Sequence, residues 1–191
     1  MNYHFRKPEY IALLFNLFVK CIFETISSEC TWLISKQMKT ENYRNELCKY
    51  LMFSIVFYRT IYDDANLLRV YEDALNEDLL SNVMRDTFWA RHDRILLEND
   101  IQPDSSRQMF NWYLIAEHGV KKEMLKHNDQ YNTDNNTADD FACLISTIAF
   151  RLAGVPDNII EYNTMIAQSA CKDVHLSYET VKAYLVRELR E

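Results

Sequence analysis

Glycine and proline are scarce in this chain: glycine stands only at Gly119 and Gly154, and proline only at Pro8, Pro103 and Pro156. Tight hairpins and sandwiches need such residues at regular intervals, so an architecture built on them is excluded. Also missing is an apolar run of the roughly 20 residues that a membrane-spanning helix requires. The apolar segment from Tyr10 to Val19 falls far short of it. Positive charge is in deficit, with 21 Lys and Arg against 28 Asp and Glu, a net charge of −7 and a pI near 5.3. That balance argues against a general nucleic-acid or anionic-membrane surface, since both need a positive field. There is no Gly-rich phosphate loop, nucleophile elbow or Cys-x-x-Cys pair, and nothing asks for a cofactor.

What is present is apolar substance: 48% hydrophobic residues and 13% aromatics over 191 residues, enough for one domain with a sizeable core. With so little turn chemistry, the expected class is all-α, long helices with short joints. The N-terminus has two readings. Arg6 and Lys7 precede the Tyr10 to Val19 segment, and CIFETISSE follows with the small residues Ser27 and Ser28; this is the layout of a signal peptide over residues 1–29, leaving a single domain over 30–191. Alternatively, Asn16, Lys20 and Glu24 fall every four residues as the polar stripe of an amphipathic core helix.

Further along, Trp32 to Met52 suits one long helix, and FSIVFYRTIYDDA (53–65) reads as a packed loop anchored by Phe53, Phe57 and Ile61. Leu67 to Leu80 and Leu80 to Glu98 carry helical spacing, QPDSS (102–106) interrupts it, and a helix through Met109, Trp112, Ile115 and Val120 follows. After the polar tract HNDQYNTDNNTADD, Asp139 and Asp140 open the apolar helix FACLISTIAFRLA, closed by Gly154 and Pro156. A second helix runs from Asp157 to about Cys171. A third follows the N-cap Ser177, with Glu179 in its first turn and Tyr178, Val181, Leu185 and Leu189 on one face. Short joints imply an antiparallel bundle.

Two constellations invite a chemical reading. Arg85, Asp86 and His92 (RDTFWARH) have the spacing of the HEPN ribonucleases, in which an imidazole handles a ribose hydroxyl proton and a guanidinium holds phosphate. The competing reading is a solvated helix face. Glu117, His118, Glu123 and His127 resemble metal ligands, but a carboxylate-bridged site in a bundle needs two Glu-x-x-His units, and neither is present, so no metal is expected.

Four pieces taken in order resemble a type I interferon of a non-mammalian vertebrate. Cys30-Thr31-Trp32-Leu33 is similar to the family's mature Cys-x-Trp-hydrophobic start. Phe53, Phe57, Tyr58, Arg59 and Ile61 resemble its Phe-Pro-x-x-Leu-Tyr-x-x-Ile loop, with Ser54 in place of the proline. SYETVKAYLVREL resembles the closing helix, with Tyr178 for its tryptophan. Removing a signal that contains Cys21 leaves an even set of four cysteines, which allows three connectivities. The resemblance implies bridges Cys30 to Cys143 and Cys48 to Cys171, and Asn135 heads a glycosylation sequon in the polar tract.

The resemblance thus implies a secreted antiparallel bundle of the four-helix cytokine type with five to six helices. It would bind a two-chain class II cytokine receptor and induce an antiviral response, without catalysis or stable membrane insertion. The implied receptor contacts are Tyr58 and Arg59, then Lys182, Ala183, Val186 and Arg187 on the last helix. The alternative is a cytoplasmic all-α interaction protein, such as a viral Bcl-2-like modulator of immunity or apoptosis, with FACLISTIAFRLA as its central helix. The second alternative is the HEPN-type ribonuclease using Arg85 and His92.

Overall fold

A computed structural model describes residues 7–38, 45–77, 79–103, 108–126 and 138–188. Among them are eight helices and no strand: α1 (Lys7–Met38), α2 (Glu46–Tyr62), α3 (Ala65–Asn76), α4 (Leu79–Glu98), α5 (Gln108–Lys126), α6 (Ala138–Leu152), α7 (Asp157–Ala170) and α8 (Tyr178–Glu188). The all-α class holds, with more helices than the five or six expected.

The molecule is organised around α2. Of its 17 residues, 13 are buried, from Leu47 to Ile61, so apolar contact surrounds it rather than striping one side. α1, α3, α4, α6 and α7 all pack against it. Its two buried aliphatic hydroxyls are satisfied within the helix: Ser54 donates to the Tyr50 carbonyl at 3.0 Å and Thr60 to that of Val56 at 2.8 Å. This corrects the expected loop over 53–65. Phe53, Phe57 and Ile61 do anchor the segment in the core, but as helical residues. The expected central role of FACLISTIAFRLA also passes to α2, because α6 leaves Leu144 and Leu152 about half exposed.

Nor is Trp32 to Met52 one helix. Asn45 takes an extended conformation and its side chain accepts the Leu47 N–H at 2.8 Å, capping a new helix there. Asp64 caps α3 in the same way. Two helices end on left-handed residues: Asp100 (φ 59°) after α4 and Gly154 (φ 90°) after α6. In each the next N–H returns five residues, Ile101 to the Leu96 carbonyl and Val155 to that of Phe150, both at 2.9 Å. The expected α6, α7 and α8 begin within a residue of Asp139, Asp157 and Ser177, with no side-chain cap on α7, and Ser177 Oγ accepts the Thr180 N–H.

α1 presents Val19, Ile22, Phe23, Ile26, Cys30 and Ile34 to the core at spacings of three and four. On its outer side Lys20 and Glu24 form an exposed ion pair at 3.6 Å. α1 also packs against α8, joining the first described helix to the last.

Candidate functional site

The inward residues of α5 descend as Phe110, Leu114, Glu117 and Lys121, so a carboxylate and an ammonium one turn apart are carried into an apolar interior. Rings from α2 (Tyr50, Phe53, Phe57, Tyr58), α3 (Tyr71), α4 (Phe88, His92) and α6 (Phe150) face them across a cavity of about 80 Å³. Burial forces the two charges together: Lys121 Nζ donates to Glu117 Oε1 at 2.5 Å, with both side chains nearly enclosed. Burial opposes the Lys121 charge, but the Glu117 carboxylate and the Tyr58, Tyr71 and Tyr50 hydroxyls outweigh it and hold the ammonium well above its ordinary pKa. Lys121 Nζ also lies 5.9 Å from the Tyr58 ring centroid.

Around this pair the phenols stay neutral. Burial raises the pKa of Tyr50, Tyr58 and Tyr71, and the Tyr58 and Tyr71 hydroxyls hydrogen-bond each other at 3.2 Å. At the other end, His92 is 5% exposed, stacks on Phe150 (5.4 Å, 21°) and meets Phe110 edge-on at 4.9 Å. Neither of its ring nitrogens has a hydrogen-bond partner among the described residues. The Asp93 carboxylate stands 3.8 Å from Nδ1, beyond hydrogen-bond reach. Burial pushes the His92 pKa below its ordinary value, more than Asp93 and Glu117 raise it, so the imidazole is neutral at physiological pH. The cavity is thus walled by neutral aromatic groups around one buried ion pair.

A second feature lies on the opposite side of α5. Met109, Trp112, Ile115 and Val120 are 46, 59, 63 and 36% exposed, while Phe110 and Tyr113 between them are buried. The helix is therefore apolar on both faces.

The residues singled out in the sequence are scattered. Tyr58 is not on a receptor-facing surface: it is 4% exposed and belongs to the cavity. Arg59 is tied down, giving its fork to Asp139 (2.6 and 2.5 Å) and its Nη1 to the carbonyls of Cys171 and Val174. Lys182, Ala183 and Val186 are exposed on α8, as the resemblance implies; the Arg187 side chain lies outside the described residues. Cys30, Cys48, Cys143 and Cys171 are buried free thiols, where the resemblance implies two bridges. Burial pushes Cys48 up to about 11, Cys143 and Cys171 up to about 12, and Cys30 higher still. Asn135 and His127 lie outside the described residues, as does the side chain of Arg85.

His92 does not lie on a solvated helix face, the competing reading of its sequence pattern, since it is 5% exposed. Glu117 and His118 line the cavity whereas Glu123 is exposed, so α5 does not gather them at one point. Tyr50, Tyr71, Lys121 and Ser146 were not anticipated. The available signal was the Glu117 to Lys121 pair, which looks like an ordinary surface pair until Phe110 and Leu114 on the same face are counted. No protein-family model, curated protein or solved structure matches the chain.

Proposed function

We propose that this chain works by binding another protein through the outward face of α5, as an all-helical interaction module inside the cell. The observation that carries this is the exposed row Met109, Trp112, Ile115 and Val120 on a helix whose other side is already buried. Soluble chains seldom leave contiguous large apolar side chains in water unless a partner covers them, and tryptophan is over-represented among interface hot spots. Support for the cell interior comes from α1: Val19, Ile22, Phe23 and Ile26 are each at most 3% exposed, and cleavage after residue 29 would strip them from the core. The test is affinity capture from the protein's native cells with the parent chain and with Trp112→Glu combined with Ile115→Lys. Both positions are exposed, so the far-ultraviolet spectrum and Tm should stay unchanged while captured partners are lost. Full capture by the double variant would remove the proposal.

A second reading keeps the secreted cytokine resembling type I interferon, acting on a two-chain class II cytokine receptor. Its support is the exposed set Lys182, Ala183 and Val186 on α8, where that resemblance puts a receptor contact. Tyr58 and Arg59 would then serve the interior of the ligand rather than the interface. An intact mass on protein from the medium of a vertebrate secretory cell separates the two. Loss of about 29 N-terminal residues, with a gain of four hydrogens on reduction, favours the cytokine; full-length protein held in the cell favours the module.

A further inference from the structure

We propose that the hollow between α4 and α5 is a binding site for a quaternary ammonium group, a nitrogen carrying three methyls, with Asp93 as its counter-charge and the Trp89 and Phe110 rings as its walls. The site shares Met109 with the outward row of α5 but holds whether or not that row meets a protein. α4 brings Trp89, His92 and Asp93 to one side at spacings of three and four, and α5 brings Phe110 and Tyr113 against them. Together they line a hollow of about 140 Å³, close to the roughly 150 Å³ of apolar space that takes up one benzene. A trimethylammonium head is of similar compactness. Met109 and Gln102 on the rim are both exposed, so the hollow is reached from solvent.

Ring geometry selects for a cation. The Trp89 and Phe110 centroids stand 4.8 Å apart with their planes at 86°, and the concave angle of such a T presents a face of each ring to whatever fills it. Those faces are the negative side of the aromatic quadrupole. His92 continues the wall, 4.9 Å from Phe110 and 5.7 Å from Tyr113 by ring centroids. Charge selects the same sign. The Asp93 side chain is 27% exposed, and its sole ionic neighbour among the described residues is His92, 3.8 Å away and neutral, so no cation offsets the carboxylate. The charges felt at the His92 ring, Asp93 and Glu117, are both negative. The neighbouring cavity of about 80 Å³ is the opposite case, with Arg91 and Lys121 set against the single carboxylate of Glu117. Methylation follows from the walls: a bare ammonium brings three N–H donors that ring faces match poorly, and a trimethylated nitrogen brings none.

The experiment uses the full chain and two probes of one shape, choline and 3,3-dimethylbutan-1-ol, in which carbon replaces the charged nitrogen, read by calorimetry and by the Trp89 indole resonance. Choline should bind saturably, about tenfold more tightly than the alcohol, the scale of a desolvated cation–π contact, and should move the Trp89 resonance. Asp93→Asn keeps the shape and removes the charge, so the choline preference should shrink several-fold while the alcohol binds as before. Trp89→Leu should weaken choline more than the alcohol. Equal affinities in the parent, a preference undiminished in Asp93→Asn, or no saturable binding of choline would each overturn the proposal. N-acetyl-trimethyllysine amide, titrated beside choline, separates the two sources of such a group: tighter binding of the amide assigns the site to a modified side chain, and tighter binding of choline to a free small molecule. Should Trp89→Leu fail to fold, Asp93→Asn, which breaks no ion pair with a cation, still decides it.

Discussion

Arg59 shows how far a residue's role depends on partners that the local sequence does not contain. In the string FSIVFYRTIY a lone guanidinium looks like a contact pointing outward. In the fold it reaches Asp139 at the head of α6 and the carbonyls of Cys171 and Val174 beyond α7, more than 70 residues away in sequence. Nothing local encodes those pairings. Arg59→Ala should lower the free energy of unfolding by about 2–4 kcal/mol, since it leaves a half-buried carboxylate and carbonyls without their donor. Arg59→Lys should restore less than half, lacking the planar fork. Urea titration checks both, and a loss below about 0.5 kcal/mol, the range of ordinary surface changes, would mean the clamp carries nothing. His92 gives a pH signature. Its folded pKa lies below the ordinary 6.5, so the unfolded chain takes the proton first on acidification. Its contribution is full above about pH 6.5 and falls as pH drops from there towards the lower folded value. The urea midpoint, followed between about pH 5 and 8, should decline more steeply on the acid side for the parent than for His92→Phe.

At the scale of elements, legibility followed amphipathicity and caps. α6, α7 and α8 were readable because Asp139, Asp157 and Ser177 open them and Gly154 closes the first of the three. α2 was not, since a helix buried on every side has no polar stripe to reveal its period, and its aromatics alternated by chance. α5 was placed correctly but only half understood. The apolar residues that mark it as a helix are the exposed ones, and the cavity face, with a glutamate and a lysine in it, looks like the wet side. The two glycines sharpen the point with opposite signs. Gly119 sits within α5 with nothing within 4 Å of where a Cβ would go, so Gly119→Ala should stabilise by about 0.5–1 kcal/mol through helix propensity. Gly154 has equal space but φ of +90°, so Gly154→Ala should destabilise by about 1 kcal/mol from backbone strain alone. Thermal melts of the pair should move in opposite directions.

For the whole molecule, α1 decides what counts as the domain. A chain lacking residues 1–29 loses Val19, Ile22, Phe23 and Ile26 from the core and should no longer unfold cooperatively. If it melts as the full chain does, the core role of that segment is wrong and the secreted reading gains. The thiols report on the same core. Cys30, Cys48, Cys143 and Cys171 are enclosed with raised pKa values, while Cys21 is only half-buried. A thiol reagent at neutral pH should therefore react first at Cys21 and reach the other four only on unfolding. The packing of α1 against α8 bears, finally, on how a ribosome must deliver this protein. Synthesis is vectorial, and at about 5–20 residues per second α1 emerges on the order of ten seconds before α8. During that interval its apolar stripe has α2 and α4 to lean on but lacks its final cover. Yield in the cell should then be limited by chaperone capacity during translation, and a shortage of it should lower abundance without altering the stability of the molecules that finish.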